Sequence, residues 1–128
     1  MSRSTAPRLV VALLAVAALV PLALPAEADT TPRKERTVRV FDFAFDPVPV
    51  DVEAGDTVIW VLDQSAQNAH SVTSDDDGGF SQDLAPGSPS TVFRHTFDVA
   101  GKYAYYCRFH LFSNSMVGQV QVTDPPPT

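Results

Sequence analysis

The stretch "GKYAYYCRFHLFSNSMVGQVQV", residues 101–122, reads as two strands joined by a short loop. Successive strand side chains point to opposite faces, so Tyr103, Tyr105 and Cys107 share one side and Ala104 and Tyr106 the other. "MVGQVQV" supplies the second strand. Cys107 closes the first strand, Met116 opens the second, and His110 lies between them. Cys107 is the sole cysteine of the 128 residues, and Met116 is the sole methionine besides Met1. One loop therefore gathers a thiol, an imidazole and a thioether.

The same period of two recurs upstream. "TVRVFDFAF" (37–45) alternates at Val38 and Val40, then at Phe43 and Phe45, with an irregularity near Phe41. "DPVPV" carries two prolines and reads as a turn and an edge segment. "VDVEAGDTVIWVL" gives two short strands around the turn "EAGD", with Val58, Trp60 and Leu62 on one face. "DQSAQNAHSVTSDDDGG" is polar apart from a short apolar piece around His70 to Val72, and "FSQDLAPGSPS" is rich in turn residues. "TVFRHTF" alternates again, and "DVAGK" turns into the strand of Tyr103. No segment sustains a helical period. Short strands between Gly and Pro turns predict an all-β sandwich or barrel. The expected domain spans 37–123, after a flexible lead-in at 29–36 and before a Pro-rich tail at 124–128.

The first 28 residues read differently. "MSRSTAPR" is basic, "LVVALLAVAALVPLALP" is apolar, and "AEA" at Ala26 to Ala28 fits a small-x-small processing site. This is the plan of a cleaved signal peptide; Pro21 and Pro25 break the run and argue against a retained membrane anchor. A lipoprotein anchor needs a cysteine that the site lacks. The residues after Ala28 hold 7 basic and 14 acidic side chains, a net charge of −7. That disfavours nucleic acid and anionic membranes as partners, and suits a secreted or periplasmic monomer with neutral or basic partners.

A single cysteine forms no internal disulfide. A free thiol is a liability in an oxidising compartment, whereas a metal-bound thiolate is occupied. Thiolate, imidazole and thioether suit copper better than calcium or magnesium, which take oxygen, and a thioether is a poor zinc ligand. A second imidazole must come from His70 or His95. His70 sits where a polar loop re-enters the sheet; His95 is mid-strand in "VFRHTF", in phase with Phe93 and Phe97. Loop-borne groups build sites more often, which favours His70 and puts His95 at the edge of the core.

"GKYAYYCRFHLFSNSMVGQVQV", with "VDVEAGDTVIWV" and "HSVTSD" upstream, resembles the cupredoxins, the blue type 1 copper proteins, in their plastocyanin and amicyanin branch. The resemblance covers residues 37–122. It implies a Greek-key β-sandwich of seven or eight strands that binds one copper ion. It implies His70 and His110 as nitrogen ligands, Cys107 as thiolate and Met116 as axial ligand. The five-residue gap "LFSNS" after His110 is longer than plastocyanin-like relatives usually carry, and it bears on the axial position. Leu62 stands where relatives often have a polar residue.

The resemblance also implies that Tyr106, bonded directly to Cys107, can relay electrons to a remote surface. It implies that Leu111 and Phe112 belong to an apolar patch around His110 where redox proteins dock. Ser71 is implied as a hydrogen-bonding strut to the copper loop. Plainer readings stand beside these: Cys107 and Met116 as core packing, Tyr106 as a surface-packed ring, Leu111 or Phe112 as a cap on the core. "SDDDGG" (74–79) lacks the oxygen spacing of a calcium loop and reads as a solvated turn. Ser, His and Asp occur without a nucleophile elbow, so no hydrolase is expected. The expected function is an exported single-electron carrier and not an enzyme. The alternatives are a periplasmic copper carrier or store, and a metal-free β-sandwich binding module.

Overall fold

The computed structural model describes residues 2, 7, 9–25, 32–76 and 79–127. The chain divides into two units, Met1–Thr30 and Thr31–Thr128. In the first, residues 9–25 form no regular element and leave their large apolar side chains exposed. The expected processing site at Ala26 to Ala28 lies outside the described residues, as does the start of the lead-in. Among the described residues, no helix is long and apolar enough to cross a membrane.

Among the described residues, the second unit contains nine strands and one short helix. In chain order they are β1 (Glu35–Phe41), β2 (Ala44–Asp46), β3 (Val50–Glu53), β4 (Thr57–Leu62), β5 (His70–Ser74), β6 (Ser81–Leu84), β7 (Val92–Thr96), β8 (Gly101–Tyr106), α1 (Leu111–Asn114) and β9 (Val117–Thr123). They form a four-stranded sheet ordered β2-β1-β4-β7 and a five-stranded sheet ordered β3-β9-β8-β5-β6. Two pairings are parallel, β1 with β4 and β3 with β9; the others are antiparallel.

Alternation builds the core. Val38, Val40, Val58, Trp60 and Leu62 from one sheet meet Val52, Val72, Leu84, Tyr105, Val120 and Val122 from the other. Trp60 spans the interface: its ring stacks on Phe93 of its own sheet at 5.5 Å and meets Tyr105 of the opposite sheet edge-on at 5.3 Å. Such aromatic pairs add to the burial of their apolar area. The "EAGD" turn between β3 and β4 places Gly55 at φ 97°, a left-handed conformation that glycine adopts without steric cost. Asp56, buried beside it, accepts hydrogen bonds from the backbone N–H of Lys34 and of Glu53, both at 2.9 Å.

Three elements go beyond the sequence reading. The segment 37–45 is a hairpin, since Phe41 pairs with Ala44 and only Asp42 and Phe43 form the loop. β6 emerges from the turn-rich stretch and buries a single apolar side chain, Leu84, against β5. α1 is one helical turn after His110, closed by N–H groups of Asn114 and Ser115 on the carbonyls of His110 and Leu111. The hairpin break and β6 account for nine strands where seven or eight are expected.

Candidate metal centre

Three of the four donors predicted from sequence, His70, Cys107 and His110, converge at one end of the sandwich. His70 is the first residue of β5 and is fully buried. Cys107 follows β8 directly and Met116 precedes β9; both are buried. The Cys107 N–H donates to the Met116 carbonyl at 2.9 Å, which extends the β8–β9 ladder and pins both ends of the loop. The His110 N–H donates to the Cys107 carbonyl at 3.1 Å, so the loop folds His110 back over the thiol.

The Cys107 Sγ lies 3.3 Å from His110 Nδ1 and 3.9 Å from His70 Nδ1. One donor atom from each of the three residues falls within 4.8 Å of the others. Ligands held at about 2.0 and 2.3 Å from a shared ion, about 120° apart, would stand about 3.7 Å from one another. The two sulfur–nitrogen distances bracket that separation, so this donor set fits a copper ion. His95 lies elsewhere, its ring 4.7 Å from both Phe80 and Phe97, at the edge of the core as its strand phase implies.

A family model described as a cupredoxin-like domain matches residues 11–122. The chain belongs to the cupredoxin-like family. A chloroplastic plastocyanin of Tetradesmus obliquus is 33% identical over 86 residues, 61% of this chain. The cupredoxin described here spans 57% of that relative's length. Among solved structures, a purple cupredoxin from Nitrosopumilus maritimus superposes with a TM-score of 0.57 at 26% identity, over 68% of this chain and 98% of that one. Amicyanin from Paracoccus versutus superposes with a TM-score of 0.56 at 24% identity, over 73% and 86% of the two chains, and shares the fold. One type 1 copper is the cofactor of this family, and the cluster of His70, Cys107 and His110 is positioned for it.

Support around this cupredoxin centre comes from two directions. Ser71 ties β5 to the loop, as the resemblance implies. Its N–H donates to Cys107 Sγ at 3.3 Å, and its Oγ accepts the Arg108 N–H at 2.9 Å. Hydrogen bonds to a ligand sulfur orient it and tune the metal. The second support is the β1–β2 turn, which sequence reasoning passed over. Asp42 Oδ1 accepts from His70 Nε2 at 2.9 Å, and its two oxygens also accept the N–H groups of Gln67 and Asn68. The Gln67 N–H first, and the His70 side chain next, hold the Asp42 carboxyl well below the usual carboxylate range.

The neighbouring Phe43 sits at φ 68°, uncommon for a bulky residue. Its ring meets His110 edge-on at 5.0 Å. Burial first, and the facing His70 next, push the His110 imidazole below its ordinary pKa. A signal for this turn exists in the sequence: the apolar phase switches from even positions, Val38 and Val40, to odd ones, Phe43 and Phe45.

Exposed aromatic rings flank His110, Phe43 at 5.0 Å and Phe109 at 6.4 Å. Phe112 is 98% exposed, and Phe109 and Phe43 are each nearly half exposed around His110. Leu111 is half-buried and faces a hollow shared with Tyr106 and Val117, so the exposed member of the Leu-Phe pair is Phe112.

Proposed function

We propose that this cupredoxin is an exported mononuclear copper protein that carries single electrons between redox proteins and performs no catalysis of its own. The observation that supports it most is the convergence of one thiol and two imidazoles, pinned by strand ends, at a fit for one ion. In this reading His70, Cys107 and His110 would hold the metal, with the Met116 thioether as a further donor. Bound copper supplies a one-electron couple between its cupric and cuprous states. The protein's part is to hold one geometry for both. Ser71 restrains the sulfur, and the Cys107–Met116 backbone bond keeps the loop from opening. His110 offers the path to the surface, and Phe43, Phe109 and Phe112 form an apolar rim on which a partner excludes water. The basic and apolar leader with its small-residue processing site supports export, and a monomer released after Ala28 is the acting form.

Cupric salt added to the copper-free protein tests the proposal. The expected result is an intense visible band from sulfur-to-copper charge transfer, lost in Cys107→Ser and kept in His95→Ala. Ascorbate should bleach it and reoxidation should restore it over repeated cycles with the metal retained. Loss of copper to a chelator on first reduction would favour a copper carrier. A colourless protein, or a band that survives Cys107→Ser, would overturn the copper centre.

A further inference from the structure

We infer that Asp42 is the positioning residue of the centre, fixing the His70 ring so that Nδ1 presents its lone pair to the metal before any metal arrives. The inference rests on the copper reading above, and it begins from a constraint of hydrogen-bond chemistry. An ionised carboxylate can only accept, so at 2.9 Å from Asp42 Oδ1 the His70 Nε2 must carry the ring proton. In the neutral form, the only one that can bind a metal, the ring has one N–H, so a proton on Nε2 leaves Nδ1 free, and Nδ1 is the nitrogen that faces Cys107 Sγ at 3.9 Å. The ring is fully buried, and the Asp42 side chain at its Nε2 end is a quarter exposed.

The carboxylate is itself held. The N–H groups of Gln67 and Asn68 donate to it at 2.9 and 3.1 Å. These residues belong to the loop that delivers His70 to β5, so one side chain sets both the course of that loop and the orientation of its ligand. Negative charge on the far side of an imidazole raises its basicity as a ligand. Greater basicity favours the cupric over the cuprous ion, so Asp42 holds the reduction potential down.

The test pairs a variant with a measurement on the native chain. Asp42→Asn keeps the shape and an acceptor oxygen but removes the charge. Outer-shell substitutions at metal sites cost roughly 10–100-fold in affinity. A tenfold loss for the cupric ion relative to the cuprous one raises the one-electron potential by about 59 mV. The expected outcome is therefore a band retained and a potential raised by about that amount. A merely structural Asp42 would lower stability and leave the potential where it was, and an unchanged or lowered potential overturns the inference. In the metal-free native protein, nitrogen-15 NMR should find the His70 proton on Nε2. A proton on Nδ1 overturns the inference whether or not the variant folds. A native protein that never turns blue refutes the copper reading instead, and the ring-proton position still decides the role of Asp42.

Discussion

Gly118 has no room for a methyl group. A Cβ there would lie 2.2 Å from Tyr105 Cζ and 2.4 Å from its hydroxyl oxygen. Tyr105 cannot swing away, because its ring is buried and is wedged edge-on between Phe45 at 4.8 Å and Trp60 at 5.3 Å. The glycine two residues after Met116 is thus a cradle for the tyrosine two residues before Cys107. Gly118 pairs directly with Tyr105 across the β8–β9 ladder, so the clash would sit just behind the site. Overpacking a close-packed core costs typically 1–3 kcal/mol. Gly118→Ala should lie at the upper end, about 3 kcal/mol, by denaturant unfolding of the copper-free protein. A change below about 0.5 kcal/mol, the range of ordinary surface substitutions, would mean that the ring gives way freely.

At the scale of elements, β7 shows what a strand's phase can and cannot tell. Its inner face carries Phe93 and His95, and the imidazole packs among Phe80, Phe93 and Phe97. Burial pushes the His95 pKa below its ordinary value of 6.5, and the nearby Asp98 opposes the shift more weakly. The folded state therefore favours the neutral ring. Above pH 6.5 both folded and unfolded chains are neutral there, and the full stability is present. As the pH falls below 6.5 the unfolded chain takes up the proton first, and stability is lost until the folded pKa is passed. His95→Phe removes this slope. Between pH 7.5 and pH 5.5, the melting temperature of copper-free wild type should fall further than that of His95→Phe; parallel curves would refute the assignment. The placement of His95 was legible because Phe93 and Phe97 share its parity. β4, β8 and β9 were legible for the same reason. β6 was not, having one buried apolar residue and hence no period to read. α1 has four residues and none buried, too short to display a helical face. Asp42 was invisible for another reason: its partners Gln67, Asn68 and His70 lie 25, 26 and 28 residues away, and spacing alone does not report a contact made by folding.

For the molecule as a whole, the question is where the fold begins. Every member of the core cluster lies between Val38 and Val122. The parallel pairing of β1 with β4 starts at Glu35 opposite Thr57. Just ahead of it, Lys34 is held at both ends of its backbone. Its N–H donates to Asp56 Oδ1 at 2.9 Å, and its carbonyl accepts from Thr57 at 3.0 Å. The Arg33 guanidinium reaches the Gly55 carbonyl at 3.1 Å. Chain removal up to residue 28 touches none of these contacts. Removal up to residue 36 deletes the first two rungs of β1 and takes a donor from the buried Asp56 carboxylate, and hydrogen bonds to charged groups are worth about 1.5–3 kcal/mol. On the proposal that the leader is removed on export, the chain lacking 1–28 should unfold in denaturant within about 0.5 kcal/mol of the full chain, the range of ordinary surface substitutions. The chain lacking 1–36 should lose about 2 kcal/mol or more. A large loss in the shorter deletion would make the leader part of the domain, and the proposal that it is removed on export would fall with it. Equal stability of the two deletions would instead show that Lys34 and the end of β1 hold nothing in place.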